Sequence, residues 1–207
     1  MRKYSFALLV IIVVVSSWLA CKKPIHILPT PHGCGIMTGL EPTTMMLVFT
    51  NVNNPGDKDT AVWTDKTPNA NTHQYDLSKA HLTLSANSNY QVQVLFYNIG
   101  IAVGAPGYDL TPMVKQEQTS HLICFSDSTN FYGNLATDLT WTWGDLDTSK
   151  NPLPIGLIDN FKTGADSASG LWKATLHHQY LIKNGDCAPG YIDVQALDTI
   201  FISPAKG

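Results

Sequence analysis

From residue 43 onward, apolar and polar side chains alternate in short runs separated by Asn, Gly, Pro and Asp. The clearest run is 89–98 (NYQVQVLFYN), where Tyr90, Val92, Val94 and Phe96 fall on one face and Gln91 and Gln93 on the other. A period of two is the mark of a strand with one buried face. The same reading gives strands at 43–51, 60–64, 81–86, 120–126, 138–143, 171–178 and 192–202. Asn87-Ser88-Asn89 is a turn signal, so 81–86 and 89–98 are expected to form a hairpin. Helical pattern is confined to 111–118, where Thr111 can cap and Pro112 suits the first helical position. Eight strands with at most one short helix predict an all-β fold, an antiparallel β-sandwich of immunoglobulin-like type, with a small barrel as the alternative.

The amino-terminal pattern is of another kind. Arg2 and Lys3 precede an uninterrupted apolar run, residues 6–15, and Ser16 and Ser17 lead into Trp18-Leu19-Ala20-Cys21. A charged start, a short apolar middle and a small-residue exit describe an export signal over 1–20. A spanning helix needs about 20 apolar residues, and this run stops short at Lys22-Lys23. Residues 21–40 carry three prolines, three glycines and no sustained period between 22 and 40, and they read as a tether that includes His26 and His32. The remainder, 41–207, is expected to form one domain.

Leu19-Ala20-Cys21 resembles the bacterial lipobox, with Trp18 standing where Leu is usual. That resemblance implies cleavage before Cys21, a lipid on its thiol, and a cell-envelope location at the outer membrane. A plain secretory signal cut near Ala20 is the alternative. Each buried CH₂ of a lipid adds about 0.8 kcal/mol, so several acyl chains hold a protein firmly on a bilayer.

Removal of 1–20 takes away two of the thirteen basic residues, leaving eleven against sixteen acidic ones, a net charge of −5. No basic tract remains, which argues against a nucleic-acid partner. The cysteines that remain besides Cys21 are Cys34, Cys124 and Cys187, without CxxC spacing. One disulfide among them suits an oxidising envelope, and the sequence does not choose the pair.

Candidate chemistry is sparse. There is no GxSxG elbow, HExxH pair or GxxxxGK[ST] loop, so the expectation is a protein without enzymatic activity or cofactor. In 171–178 (LWKATLHH), His178 falls with Trp172, Ala174 and Leu176, whereas His177 falls with Lys173 and Thr175. His121 alternates with Ile123 and Phe125. Two histidines on apolar faces can meet as metal ligands, or each can be a buried histidine bonded to backbone or to a carboxylate such as Glu117 or Asp198. The loop with Asp145, Asp147, Ser149 and Asn151 spaces oxygen donors as a Ca²⁺ loop begins. Lys150 and Gly156 then stand where an EF-hand needs Gly and Glu, which leaves a non-EF cation loop or an ordinary turn. Trp141 and Trp143 share one strand face and suit either sugar stacking or a sandwich core, with Trp63, Trp172 and Tyr132 elsewhere.

The order of motifs resembles a family of small cell-envelope lipoproteins of Bacteroidota, sometimes labelled periplasmic-binding-fold proteins. The motifs are Glu41-Pro42-Thr43-Thr44, then Leu84-Ser85-Ala86-Asn87-Ser88-Asn89-Tyr90, then Glu117-Gln118-Thr119-Ser120-His121. They continue with Pro152-Leu153-Pro154-Ile155-Gly156-Leu157, Thr163-Gly164-Ala165, Leu176-His177-His178-Gln179, Lys183-Asn184-Gly185 and Ile192-Asp193-Val194. The resemblance covers about 41–203 and implies a lipid-anchored β-sandwich associated with TonB-dependent outer-membrane receptors. It also puts His121 and His178 at recurrent histidine positions. The stretch before the first strand departs from the family's acidic, His-rich pattern. Together these readings anticipate a binding or accessory protein for nutrient or metal uptake, with a metal-binding module and a glycan-binding or glycan-active protein as alternatives.

Overall fold

The computed structural model describes residues 42–68 and 73–204. The export signal, Cys21, the tether with His26 and His32, and Cys34 lie outside the described residues. Ten strands run in order β1 (Thr44–Asn51), β2 (Lys58–Asp65), β3 (Tyr75–Lys79), β4 (His81–Ser85), β5 (Asn89–Tyr97), β6 (His121–Tyr132), β7 (Leu139–Trp143), β8 (Ile158–Thr163), β9 (Ala168–His178) and β10 (Tyr191–Ser203). Two short helices interrupt them, α1 (Thr111–Gln116) and α2 (Leu135–Asp138). The expected helix is therefore present two residues shorter, and a second single-turn helix joins β6 to β7.

The strands form two sheets, one in the order β3-β2-β1-β5-β8-β7 and the other β4-β10-β9-β6. Every pair is antiparallel except β4 with β10, which is parallel. The sandwich is thus all-β, with one mixed sheet of four strands. Its inward faces are the apolar sets that alternation picks out. Leu82, Leu84, Ile123, Phe125, Trp172, Ala174, Leu176, Ala196 and Ile200 from the four-stranded sheet meet Met45, Leu47, Phe49, Tyr90, Val92, Val94, Phe96 and Phe161 from the other. Burying one such large side chain contributes roughly 1.5–3 kcal/mol relative to leaving it exposed, so these faces supply the main driving force for stacking the sheets.

The expected hairpin of β4 with β5 is not formed. The turn exists, with Asn87 in the left-handed region at φ 53°, but it carries the chain from one sheet to the other. β4 pairs with β10, and β5 pairs with β1 and β8. In a hairpin the Leu82/Leu84 face and the Tyr90–Phe96 face would lie side by side. As an arch the two apolar faces are turned toward each other and both are buried.

One end of the sandwich collects the elements that matter below. β5 ends beside the start of β1, with Tyr97 opposite Thr44. The chain then loops out over 98–108 and returns, Leu110 N–H donating to the Phe96 carbonyl, and α1 leads toward β6. Residues 155–157 tie the sheets at this level: Val94 N–H donates to Leu157 O, and Ile123 N–H to Ile155 O. β6 therefore starts at the end where β1 starts, and β9 finishes there, His178 lying opposite His121.

Candidate functional site

β6 and β9 place His121 and His178 as direct cross-strand partners. Their rings meet edge to face, with centroids 4.8 Å apart. β10 supplies the third group. Ile192 pairs with His177 and Val194 with Leu176, so Asp193 is the extra residue of a β-bulge. A bulge re-aims a side chain, and here it turns Asp193 toward the two histidines rather than away from the sheet.

Asp193 Oδ2 lies 3.5 Å from His121 Nε2 and 3.6 Å from His178 Nδ1. Those separations are too long for hydrogen bonds. Two ligands tetrahedrally disposed at about 2.1 Å from one ion stand about 3.4 Å apart, close to what is seen. Among the described residues this is the one grouping of His, Asp, Glu or Cys side chains in which three ligand atoms converge, all within 4.8 Å of one another.

His121 is fully buried, and neither of its ring nitrogens has a hydrogen-bond partner among the described residues; nor has Asp193 Oδ2. Buried polar atoms are nearly always satisfied, so His121 Nε2 and Asp193 Oδ2, both orphaned and facing the same point as His178 Nδ1, mark a place where a further species binds. Access is from one side, because the side chains of His178 and Asp193 are 14% and 16% exposed. On the far edge of the His121 ring, Glu117 Oε2 stands 3.9 Å from Nδ1. A carboxylate there is suited to orient a ligating imidazole. Glu117 is therefore beside His121 but not bonded to it, and Asp198 is not among the partners of either histidine.

The surroundings hold this geometry firmly. Gln179 N–H donates to Ser120 O at 2.6 Å, linking the residues that flank the two histidines. The buried Gln179 amide donates to Asp186 O at 2.7 Å and Pro189 O at 2.9 Å, closing the β9–β10 loop on itself. A disulfide joins Cys124, three residues along β6 from His121, to Cys187 in that loop. His177 does not face solvent as its polar neighbours in sequence suggest. It is buried on the other face of β9, next to Thr175 Oγ1 at 2.9 Å. Burial lowers its pKa, opposed by the nearby Asp193.

The Asp145–Asn151 loop uses its oxygens on the protein itself. Asp145 Oδ1 accepts from Gly156 N–H, and Asp147 Oδ1 from the N–H groups of Ser149 and Leu153. The Ser149 hydroxyl donates to the Asn151 carbonyl. Asp147 Oδ2 takes the Lys183 ammonium at 2.9 Å. Burial pushes the Asp147 carboxyl up, but the bonds from Ser149 and Lys183 prevail and hold it at about 2. Loop and ammonium together act as a brace under the β9–β10 loop, since Lys183 also donates to Gln118 O.

Trp141 and Trp143 are half-buried, their rings edge-on to each other at 5.0 Å. Trp141 packs against Phe125 and Phe161, and Trp143 Nε1 donates to Ile123 O. They extend the core toward the edge of the sandwich, which is the non-platform alternative. Alternation of the strands pointed to both histidines in sequence; it missed Asp193, because the bulge breaks the period there.

Comparison of the chain with family models, with curated proteins and with solved structures finds no match.

Proposed function

We propose that the chain is a non-enzymatic, lipid-anchored cell-envelope protein that binds a transition-metal ion through His121, His178 and Asp193, in the service of metal or nutrient uptake. The observation that carries the metal reading is the approach of His121 Nε2 and His178 Nδ1 to Asp193 Oδ2 at ligand-to-ligand spacing, all three groups within 4.8 Å of one another and the buried His121 otherwise unsatisfied. Two imidazoles and one carboxylate suit Zn²⁺, Cu²⁺, Ni²⁺ or Fe²⁺. They do not suit Ca²⁺, which takes six to eight oxygens. The bulge at Asp193 and the braced loop preorganise the set, so little ordering entropy is left to oppose binding.

The anchor rests on the residues around Cys21, and the association with a TonB-dependent receptor on the motif order. No helix among the described residues is long and apolar enough to cross a membrane.

Calorimetric titration with Zn²⁺ and Cu²⁺ tests the site. Stoichiometric heat is expected from the parent, none from His121→Ala or His178→Ala, and affinity weakened about tenfold or more for Asp193→Asn. A parent that gives no heat with either ion would remove the proposal. Cell fractionation tests the anchor: Cys21→Ser should move to the soluble fraction, and continued membrane retention of that variant would rule the lipid out.

A further inference from the structure

The loop between β9 and β10 inverts the usual arrangement of a surface loop. Two of its polar members, Gln179 and Lys183, are turned inward, the Lys183 side chain only 3% exposed, while Asn184 and Asp186 stay at the surface. Its apolar members 180–182 are turned out, Leu181 84% exposed, Tyr180 56% and Ile182 52%, and Tyr191 at the start of β10 is 56% exposed as well. Single exposed apolar residues are ordinary, but a contiguous cluster marks a contact surface. Leu181 adopts φ 60°, a left-handed conformation that costs a leucine free energy and persists only where its surroundings enforce it. The enforcement is visible in the Cys124–Cys187 disulfide, the two Gln179 amide bonds and the Lys183–Asp147 pair. The loop is therefore stiff, and its 180–182 segment is an uncharged, apolar projection, with the exposed Asp186 farther along the loop.

The same end of the sandwich carries two other features. The 98–108 loop exposes Ile99 and Val103. The chain also enters the fold there, Thr43 N–H donating to Tyr97 O. Cys21 lies twenty-one residues before Pro42, a span of at most roughly 70 Å when fully extended. Chain connectivity thus puts the exposed tip at the end from which the lipid-bearing segment departs.

We propose that this end is a membrane-contact surface, in which Tyr180, Leu181, Ile182 and Tyr191 enter the boundary between lipid headgroups and acyl chains. The inference rests on the lipid-anchor reading for the presence of a bilayer within reach. A lipid surface fits the tip better than a protein groove does. Leucine and isoleucine flanked by two tyrosines match the gradient from acyl chain to headgroup, where aromatic rings with a polar tip collect. No charged side chain among the four would have to be desolvated. Contact there gives the tethered domain a defined orientation and holds the opening of the His121–His178–Asp193 site close to the bilayer surface.

The test uses the full mature protein with its Cys21 lipid, reconstituted in vesicles of phosphatidylethanolamine and phosphatidylglycerol and followed by amide hydrogen exchange. Exchange across 180–182 should slow about tenfold or more relative to the Cys21→Ser protein in solution, while 129–134 at the opposite end keeps its solution rate. The Leu181→Asp/Ile182→Asp variant, altered only at exposed positions, should stay lipidated and folded by circular dichroism and lose that protection. Solution-rate exchange across 180–182 on vesicles, or equal protection in parent and variant, would overturn the proposal. Intact mass and sedimentation of the same samples report on the anchor separately. An unlipidated chain that stays in solution counts against Cys21, whereas a lipidated chain that sediments with an unprotected loop counts against the tip alone.

Discussion

Asp198 faces the core of the sandwich, in the inward set of β10 with Ala196 and Ile200, and neither of its oxygens has a hydrogen-bond partner among the described residues. Its cross-strand neighbour is Trp172, whose indole N–H likewise has no hydrogen-bond partner among the described residues. Burial pushes the Asp198 carboxyl up to about 7 from its ordinary 3.8. A folded-state value above the unfolded one means that the native state holds the proton more tightly. Native stability is then unaffected below pH 4, falls as pH climbs through the interval up to 7, and levels off above it. At about 1.4 kcal/mol per pH unit, the interval amounts to about 4 kcal/mol. Asp198→Asn keeps the size and removes the charge, leaving any cost of a buried amide the same at both pH values. Urea unfolding of parent and variant, disulfide intact, should show the variant gaining about 4 kcal/mol relative to the parent between pH 4 and pH 8. With a slope near 2 kcal/mol per molar that is a relative midpoint shift of about 2 M. Asp159, also buried without hydrogen-bond partners among the described residues and pushed to about 8 by burial and by Asp145, is present in both proteins and cancels. A variant whose advantage changes by less than about 1 kcal/mol between the two pH values would refute the claim that Asp198 titrates in a dry core.

Cys124→Ser/Cys187→Ser opens a crosslink between residues 63 apart; loop-closure entropy sets the loss at about 4 kcal/mol, read as a lowered denaturation midpoint. Lys183→Met leaves Asp147 charged and buried without its partner and should destabilise by about 3–5 kcal/mol in thermal or urea unfolding, whereas Lys183→Met with Asp147→Leu should recover most of that loss. The parent's own Asp147 contribution is complete above pH 4 and disappears as pH falls toward 2, because its folded value lies below the unfolded one. Gly190→Ala forces a side chain onto φ 93° and against the His178 carbonyl; it should cost about 1–3 kcal/mol in unfolding and weaken Zn²⁺ binding measured by calorimetry.

Much of this fold was legible in the alternation of side chains, and its gaps have physical causes. β5 and β9 were readable because their inward residues are uniformly apolar. β8 was not, because its inward set is Asp159, Phe161 and Thr163, and the acid breaks the pattern. β3 was missed for the opposite reason: YDLSK is an edge strand with no buried residue. The turn at Asn87 was correctly placed, but local sequence does not distinguish a hairpin from an arch; only the need to bury both flanking faces decides. Of the site, His121 and His178 emerged from their faces, while Asp193 depends on a bulge that no period-two count contains. The pairing of Cys124 with Cys187 likewise needs β6 and the β9–β10 loop to be brought together first.

The position of β10 governs how the structure can be assembled in time. It is the last described strand, yet it lies inside its sheet, between β4 and β9. His81 has no ladder partner until Thr199 arrives. A chain emerging amino end first therefore passes through a stage with β1, β2 and β5 in reach of one another and with β4 and one edge of β9 open. Such open strands are templates for aggregation, and pairings so distant in sequence close slowly. The unfinished chain is the species that a holding chaperone would have to recognise. Pausing synthesis before residue 191 should lengthen the life of that species, and the proposed metal site cannot form within it, since Asp193 belongs to the missing strand.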